Sequence, residues 1–364
     1  QMNFLQNKNL GYNKEQIVVV PYNRSGARLT EQWNEGKQVL DLLRQELNGK
    51  PGISELALSA HTFGTPGWMK MGYTDPATQK FRNFMLNGLD DHFLPMYNVK
   101  LVSGRNFSRE NTADQKAVIV NEAYAQQFGV ETGQQMPEPF REFQVIGVAK
   151  DFNFESLHTD VQPLMMALDP IGIIQIASDW NFDDVPSPKI SLKISGDQLP
   201  ATLSTLRLAW QKVAPEQAFD YAFLDDNIDK LYRAESRLSQ VISIATGLAI
   251  FIACLGLFGI ATLSIAQRTK EIGVRKVLGA SVAGITGLLA KDFMKIVLVS
   301  FVLASPIAWW AMNTWLDDFA YRVDLQWWIF ALAGIGAVAI AFLTVGFQSV
   351  RAALANPVRS LRSE

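Results

Sequence analysis

The 364 residues carry 33 Lys and Arg against 35 Asp and Glu, a formal net charge of −2, so the chain lacks the basic excess of a nucleic-acid binder. A single cysteine, Cys254, excludes a disulfide framework, and a chain of this length buries enough core to fold without one. The mean hydropathy of +0.07 averages two unlike parts: charges recur every few residues from Arg24 to Arg237, then vanish over 238–267, 296–316 and 325–350.

In the first part, QIVVV (16–20) predicts a strand, Trp33, Gly36, Leu40, Leu43 and Leu47 recur at helical spacing, and GISELALS supplies a second strand. This β-α-β pattern returns near Arg237: KISLKIS (189–195), a helix with Leu199, Leu203, Leu206, Trp210 and Val213 on one face, and AFDYAFL (218–224). Two such units can pair into one α+β layer of the split βαβ kind. Between them, over about 60–185, KFRNFML, KAVIVN and FQVIGVAKDF predict short strands and EAYAQQFG a short helix, so an inserted, mainly β subdomain is expected. DDNIDKLYRAESRLSQ then predicts a stalk helix over about 225–237, N-capped by Asp225 or Asp226, carrying Ile228, Leu231, Tyr232 and Leu238 and continuous with the first apolar run.

Each apolar run exceeds the ~20 residues that cross a bilayer as a helix. Spans are expected at about 239–266, 290–314 and 326–350, within a membrane domain of 238–364. Pro306 in the second is tolerated, because neighbouring helices in a membrane re-satisfy the freed carbonyl. Arg268, Lys270, Arg275 and Lys276 lie between the first two spans and Arg351, Arg359 and Arg362 follow the third, whereas Asp317, Asp318 and Asp324 face only Arg322 in the remaining loop. The positive-inside rule puts 267–281 and the C-terminus in the cytoplasm and 1–237 outside. Trp309, Trp310, Trp315, Trp327 and Trp328 cluster toward the outer ends of spans two and three, as an interfacial belt does. Ala333, Ala337 and Ala341 form a small-residue stripe on span three. Since the sequence opens at Gln1 without a leader, export of 1–237 implies a further span upstream.

Nothing composes a reaction centre. His61, His92 and His158 lack metal-ligand spacing, and the Asp pairs at 90/91, 183/184, 225/226 and 317/318 fit loops and helix starts. Gly279 and Gly284 have the spacing of a phosphate-binding loop, but Ile285 stands where its lysine belongs. No catalytic, cofactor-binding or metal-binding residue is expected.

QRTKEIGVRKVLGAS (267–281) is more ordered than topology requires. Glu271 and Arg275 are i,i+4 partners, Val274, Val277 and Leu278 form an apolar edge, and Gly279 permits a turn into the next span. A short amphipathic helix at the inner face of the membrane, able to dock on a cytoplasmic partner, is the expectation.

These residues, with PIAWWAMNTWLDDFAYR, ALANPVRSLRSE, LVSGRNFS, AVIVNEAYAQQFG, VIGVAKDFNFESLH and LYRAESRLSQ, resemble the permease subunits of ABC transporters of the FtsX-like type with a MacB-like periplasmic core domain. The resemblance implies a four-span unit whose outer domain follows the first span, with QMNFLQNKNLGY just outside that missing span and the chain the C-terminal half of a larger permease. It implies a bacterial inner-membrane location and a porter-like α+β subdomain carrying an inserted β subdomain. The loop matching 268–280 would be a coupling helix: Arg268, Glu271, Arg275 and Lys276 would meet a separate cytoplasmic ABC ATPase, with Ile272 and Val274 packing beneath. A second permease half or protomer, a periplasmic or outer-membrane protein and the lipid membrane are the other implied partners.

The implied function is noncatalytic: ATP hydrolysis by the partner is relayed to the outer domain for efflux of a hydrophobic compound, peptide or lipid-linked cargo. An alternative is a signalling protein in which the same relay gates an extracytoplasmic partner without transport. A membrane-anchored enzyme is the third class, and no constellation of residues supports it.

Overall fold

The computed structural model describes residues 10–24, 26–65, 67–177, 179–181, 187–195, 199–317 and 319–354. In chain order, β1 (Ile17–Pro21), α1 (Leu29–Leu47) and β2 (Ile53–Ser59) precede β3 (Met69–Thr74) and β4 (Phe81–Gly88). The single-turn α2 (Phe93–Met96), β5 (Leu101–Gly104), β6 (Ala117–Asn121), α3 (Glu122–Phe128), β7 (Gln144–Ala149), β8 (Leu164–Ala167), α4 (Pro170–Ile176) and β9 (Asp179–Asn181) follow. Then come β10 (Lys189–Ile194), α5 (Leu199–Val213), β11 (Ala222–Phe223), α6 (Leu224–Leu231), α7 (Arg233–Gln267), α8 (Thr269–Val277), α9 (Val282–Leu316) and α10 (Trp327–Leu354). Contacts divide the chain into two compact units, 1–234 and 235–364.

In the first unit, β11, β1, β10 and β2 form an antiparallel sheet in that order, as the split βαβ pattern predicts. Its register aligns Phe223, Val18, Leu192 and Leu56 in one row and Val20, Ile190 and Leu58 in the next. Both rows belong to one apolar core with Leu40 and Leu43 of α1 and Leu206 and Trp210 of α5. At about 1.5–3 kcal/mol per buried large aliphatic or Phe side chain, these rows dominate the stability of the layer.

The inserted part forms a second, mixed sheet ordered β5-β7-β6-β8-β4-β3-β9. The β6–β7 and β4–β8 pairs are parallel and the others antiparallel. Phe84 is edge-on to Tyr124, Phe128 and Phe140 in its core. Hydrogen bonds from Ala60 N–H to the Gly88 carbonyl (2.7 Å) and from Asp90 N–H to the Leu58 carbonyl (3.0 Å) join the sheets. Beside them the Arg109 guanidinium reaches Asp41 on α1 at 2.7 Å, Asp90 at 3.1 Å and Asp91 at 2.8 Å, and Arg44 reaches Asp90 at 2.7 Å. Asp90 is therefore not a solvated loop residue, as its pairing with Asp91 implied, but a buried one. Burial raises its carboxyl pKa while Arg44 and Arg109 pull it down.

Three further expectations are corrected. Only Ala222–Phe223 of AFDYAFL is strand. The N-cap of α6 is Phe223, with Asp225 and Asp226 inside the first turn, where their charges still favour the helix N-terminus. The stalk is two helices, because the backbone turns at Tyr232 between α6 and α7. Asp183, Asp184, Asp318, QMNFLQNKN and 355–364, with Arg359 and Arg362, lie outside the described residues.

Among the described residues of the second unit, three helices are long and apolar enough to cross a membrane: Glu235–Gln267, Gly284–Leu316 and Trp327–Gln348. Their outward faces carry unpaired apolar side chains such as Phe251, Ile307 and Phe347, as lipid-facing helices do. α10 packs closely on α9 where Gly334 meets the Phe301 ring. Of the alanine stripe, Ala341 is buried and Ala333 exposed.

His61, 2% exposed, has an unpartnered Nε2 and stacks on Trp68. Burial, reinforced by the Lys189 charge, lowers its pKa to about 3. Unfolded, the same ring takes a proton near pH 6.5, so the unfolded state binds more protons below that pH and stability falls as pH drops from about 6.5 toward 3. Urea unfolding of the 1–234 unit should lose up to roughly 1.4 kcal/mol per pH unit through the middle of this window on account of His61 alone. His61→Phe should flatten the profile by that amount; an unchanged slope would contradict the assignment.

Candidate functional site

The connection between α7 and α9 is built by local hydrogen bonding. The Arg268 N–H donates to the Ser264 and Ile265 carbonyls, and the Thr269 hydroxyl donates to those of Ile265 and Ala266, so the chain leaves α7 within one residue of starting α8. α8 ends in a Schellman motif: Ala280 N–H bonds the Arg275 carbonyl at 3.0 Å and Gly279 N–H that of Lys276 at 3.1 Å. Gly279 adopts φ +90°, which an L side chain rarely takes. Ser281 then caps α9, its hydroxyl accepting the Gly284 N–H at 3.1 Å.

The underside of α8 is apolar and narrow. Ile272, 8% exposed, packs with Ile285 of α9, 3% exposed, and Ile265 of α7. A second layer, Ala261, Ala290, Phe293 and Val345 flanked by Leu257 and Met294, joins α7, α9 and α10. Gln348 of α10 donates to the Thr262 hydroxyl of α7 at 2.6 Å. α8 thus rests on a stack that engages all three long helices.

The outer face carries the charges. Arg275 pairs with Glu271 one turn earlier at 2.7 Å, and Arg268 reaches Asp292 of α9 at 3.5 Å. All four side chains are about half exposed, so each pair contributes a few tenths of a kcal/mol, on the order of 0.3–0.5. Lys276 is half-buried, and the side chains of Lys270 and Val277 lie outside the described residues.

Of the six residues singled out, Arg268, Glu271, Arg275 and Lys276 lie on or beside α8, and Ile272 packs inward. Val274 does not pack beneath: it is 49% exposed, on the same side as Leu278 at 81%. With 3.6 residues per turn, Ile272 and Val274 lie about 200° apart, so both cannot face the same support. Asp292, Ile265 and Ile285 were not foreseen as parts of this site. In the sequence Ile285 only breaks the pattern of a phosphate loop; its place four residues after the Ser281 cap is the signal for its inward position.

Comparisons with known proteins match the MacB-like periplasmic core domain to residues 6–185 and the FtsX-like permease C-terminal domain to residues 243–357. The uncharacterized ABC transporter permease YknZ of Bacillus subtilis (strain 168) is 19% identical over 322 residues, 87% of this chain and 77% of that protein. Among solved structures, the periplasmic region of MacB from Actinobacillus actinomycetemcomitans aligns with 14% identity over 63% of this chain and 98% of its own, at a TM-score of 0.37. The extracellular domain of the noncanonic ABC-type transporter YknZ from Gram-positive bacteria aligns with 15% identity over 56% and 97%, at 0.35.

Gly279→Ala adds a Cβ that meets nothing within 4 Å, so its cost is the left-handed backbone alone, about 1 kcal/mol. Hydrogen exchange should show the amides of residues 279 and 280 exchanging roughly fivefold faster in the variant. Unchanged rates would mean that the turn does not hold α8 in place.

Proposed function

Taking as premise that this chain is an ABC transporter permease of the FtsX-like family with a MacB-like periplasmic core domain, we propose that α8 receives a cytoplasmic ATPase and relays its nucleotide-driven movement to the first unit. The observation that carries this reading is the two-sided build of α8. Ile272 seats it on Ile285 and Ile265, while Glu271, Val274, Arg275 and Leu278 face outward. An exposed apolar pair at i,i+4 edged by charges suits a groove on a partner protein.

The basic flanks favour a topology with α8 and the C-terminus in the cytoplasm and residues 1–237 outside a bacterial inner membrane. ATP would then act on the inner side while work is done on the outer side, and the long apolar stretches of the described helices favour a relay over a polar conduit through them. The favoured function is noncatalytic mechanotransmission for efflux of a hydrophobic compound, peptide or lipid-linked cargo, in assembly with a second permease half or protomer. Arg268, Glu271, Arg275 and Lys276 meet the ATPase, Arg268 and Arg275 sharing their charge with Asp292 and Glu271, while Ile272 anchors the helix.

Charge reversal separates a docking role from a merely helical one. Glu271→Arg and Arg275→Glu should each lower stimulation of the co-purified ATPase on the order of tenfold. The double exchange restores an i,i+4 ion pair and should not restore stimulation. Full activity in the double variant would reduce Glu271 and Arg275 to helix stabilisers; single variants without effect would remove them from the interface.

A further inference from the structure

α6 ends at Leu231 and α7 begins at Arg233, and the backbone between them turns at Tyr232 (φ −108°, ψ 14°). A polar linker turning here would decouple the helices, but Tyr232 is only 6% exposed. Its hydroxyl accepts the Leu157 N–H at 3.0 Å, and its ring lies nearly parallel to that of His158, with centroids 6.3 Å apart. Leu157, fully buried, sits in the 150–163 connection that leads from β7 to β8, two strands that flank β6 in the second sheet.

The same connection grips the segment before β1. Asn153 N–H donates to the Leu10 carbonyl at 2.8 Å, and Asn13 N–H to the Tyr97 carbonyl at 2.8 Å. The Tyr12 ring stacks on Phe63 at 3.7 Å, and Phe63 is edge-on to both Tyr97 and Phe152. From this aromatic hub the Tyr97 hydroxyl donates to Ser191 on β10 at 2.8 Å, which ties it to the first sheet. Gly64, beside Phe63, has φ +71°, and a Cβ there would lie 2.7 Å from the Ile228 nitrogen on α6. The helix leading to Tyr232 and the segment leading to β1 therefore bear on one rigid cluster, and Tyr232 is its contact nearest to α7.

We propose that Tyr232 is a positioning residue for transmission: it pins the turn between α6 and α7 to the β7–β8 connection, so that displacement of α7 enters the second sheet through Leu157. The inference rests on the coupling role of α8 and adds where the movement is delivered. Tyr232→Phe keeps the ring and removes the acceptor.

The test is hydrogen exchange on the full chain in detergent with its co-purified ATPase, with and without ATPγS. Without nucleotide, the Leu157 amide should exchange roughly fivefold faster in Tyr232→Phe than in the wild type. In the wild type, nucleotide should change protection in both 269–277 and 151–160; in Tyr232→Phe the first change should persist and the second disappear. A response in 269–277 without one in 151–160 of the wild type would overturn the inference and leave the coupling role standing. An undiminished response in 151–160 of Tyr232→Phe would also overturn it. Absence of any response in 269–277 would overturn the coupling role and this inference together. The wild-type comparison needs no variant, so it decides even if Tyr232→Phe folds poorly.

Discussion

A nine-residue helix on its own is marginal in water and passes on little force. What would let α8 act as a mechanical part, as proposed, is that Ile272 is wedged against Ile285 and Ile265. Burying a side chain of this size stabilises by about 1.5–3 kcal/mol, several times the few tenths that either half-exposed ion pair supplies. The apolar wedge therefore fixes where α8 sits more than the half-exposed ion pairs beside it do. Ala261, Ala290, Phe293 and Val345 form a neighbouring cluster that joins all three long helices, so in the proposed mechanism a push on α8 is shared among them.

The two sheets of the first unit are tied together at several points. Its two sheets have separate apolar cores, yet backbone hydrogen bonds at 58–60 and 88–90 join them, and Arg109 ties Asp41 of α1 to Asp90 and Asp91. Removing a single carboxylate from such a partly buried cluster leaves the others and the guanidinium to be satisfied elsewhere, so the charges specify how the sheets are joined more than they add stability. In the proposed mechanism these ties let a displacement received at one edge be expressed across the unit.

Much of this architecture was legible in the sequence. The apolar run of QIVVV, the alternation of KISLKIS and the helical recurrence of Leu40, Leu43, Leu206 and Trp210 encode the strands and helices that pair into one layer, while the strand order itself came from the structure. The apolar runs announced the long helices because hydrocarbon leaves little structural choice. What escaped depends on contacts between distant residues. AFDYAFL alternates like a strand, but only Ala222 and Phe223 find partners on β1. The break at Tyr232 answers to Leu157, 75 residues earlier. Asp90 looked solvated beside Asp91, until Arg44 and Arg109 closed over it. On α8 the short-range signals, Gly279 and the Glu271–Arg275 spacing, were readable; which apolar residue faces inward was not, because Ile272 and Val274 differ only in the neighbour the fold provides.

In the proposed mechanism the Ile272 wedge, rather than the charges, carries force from α8 into the long helices. The most direct measurement is ATP turnover by the co-purified ATPase bound to Ile272→Ala permease, with the ratio of the two proteins measured in the same sample. The ATPase should stay bound while its stimulation by the permease is lost; stimulation equal to wild type at equal occupancy would show that force does not pass through Ile272.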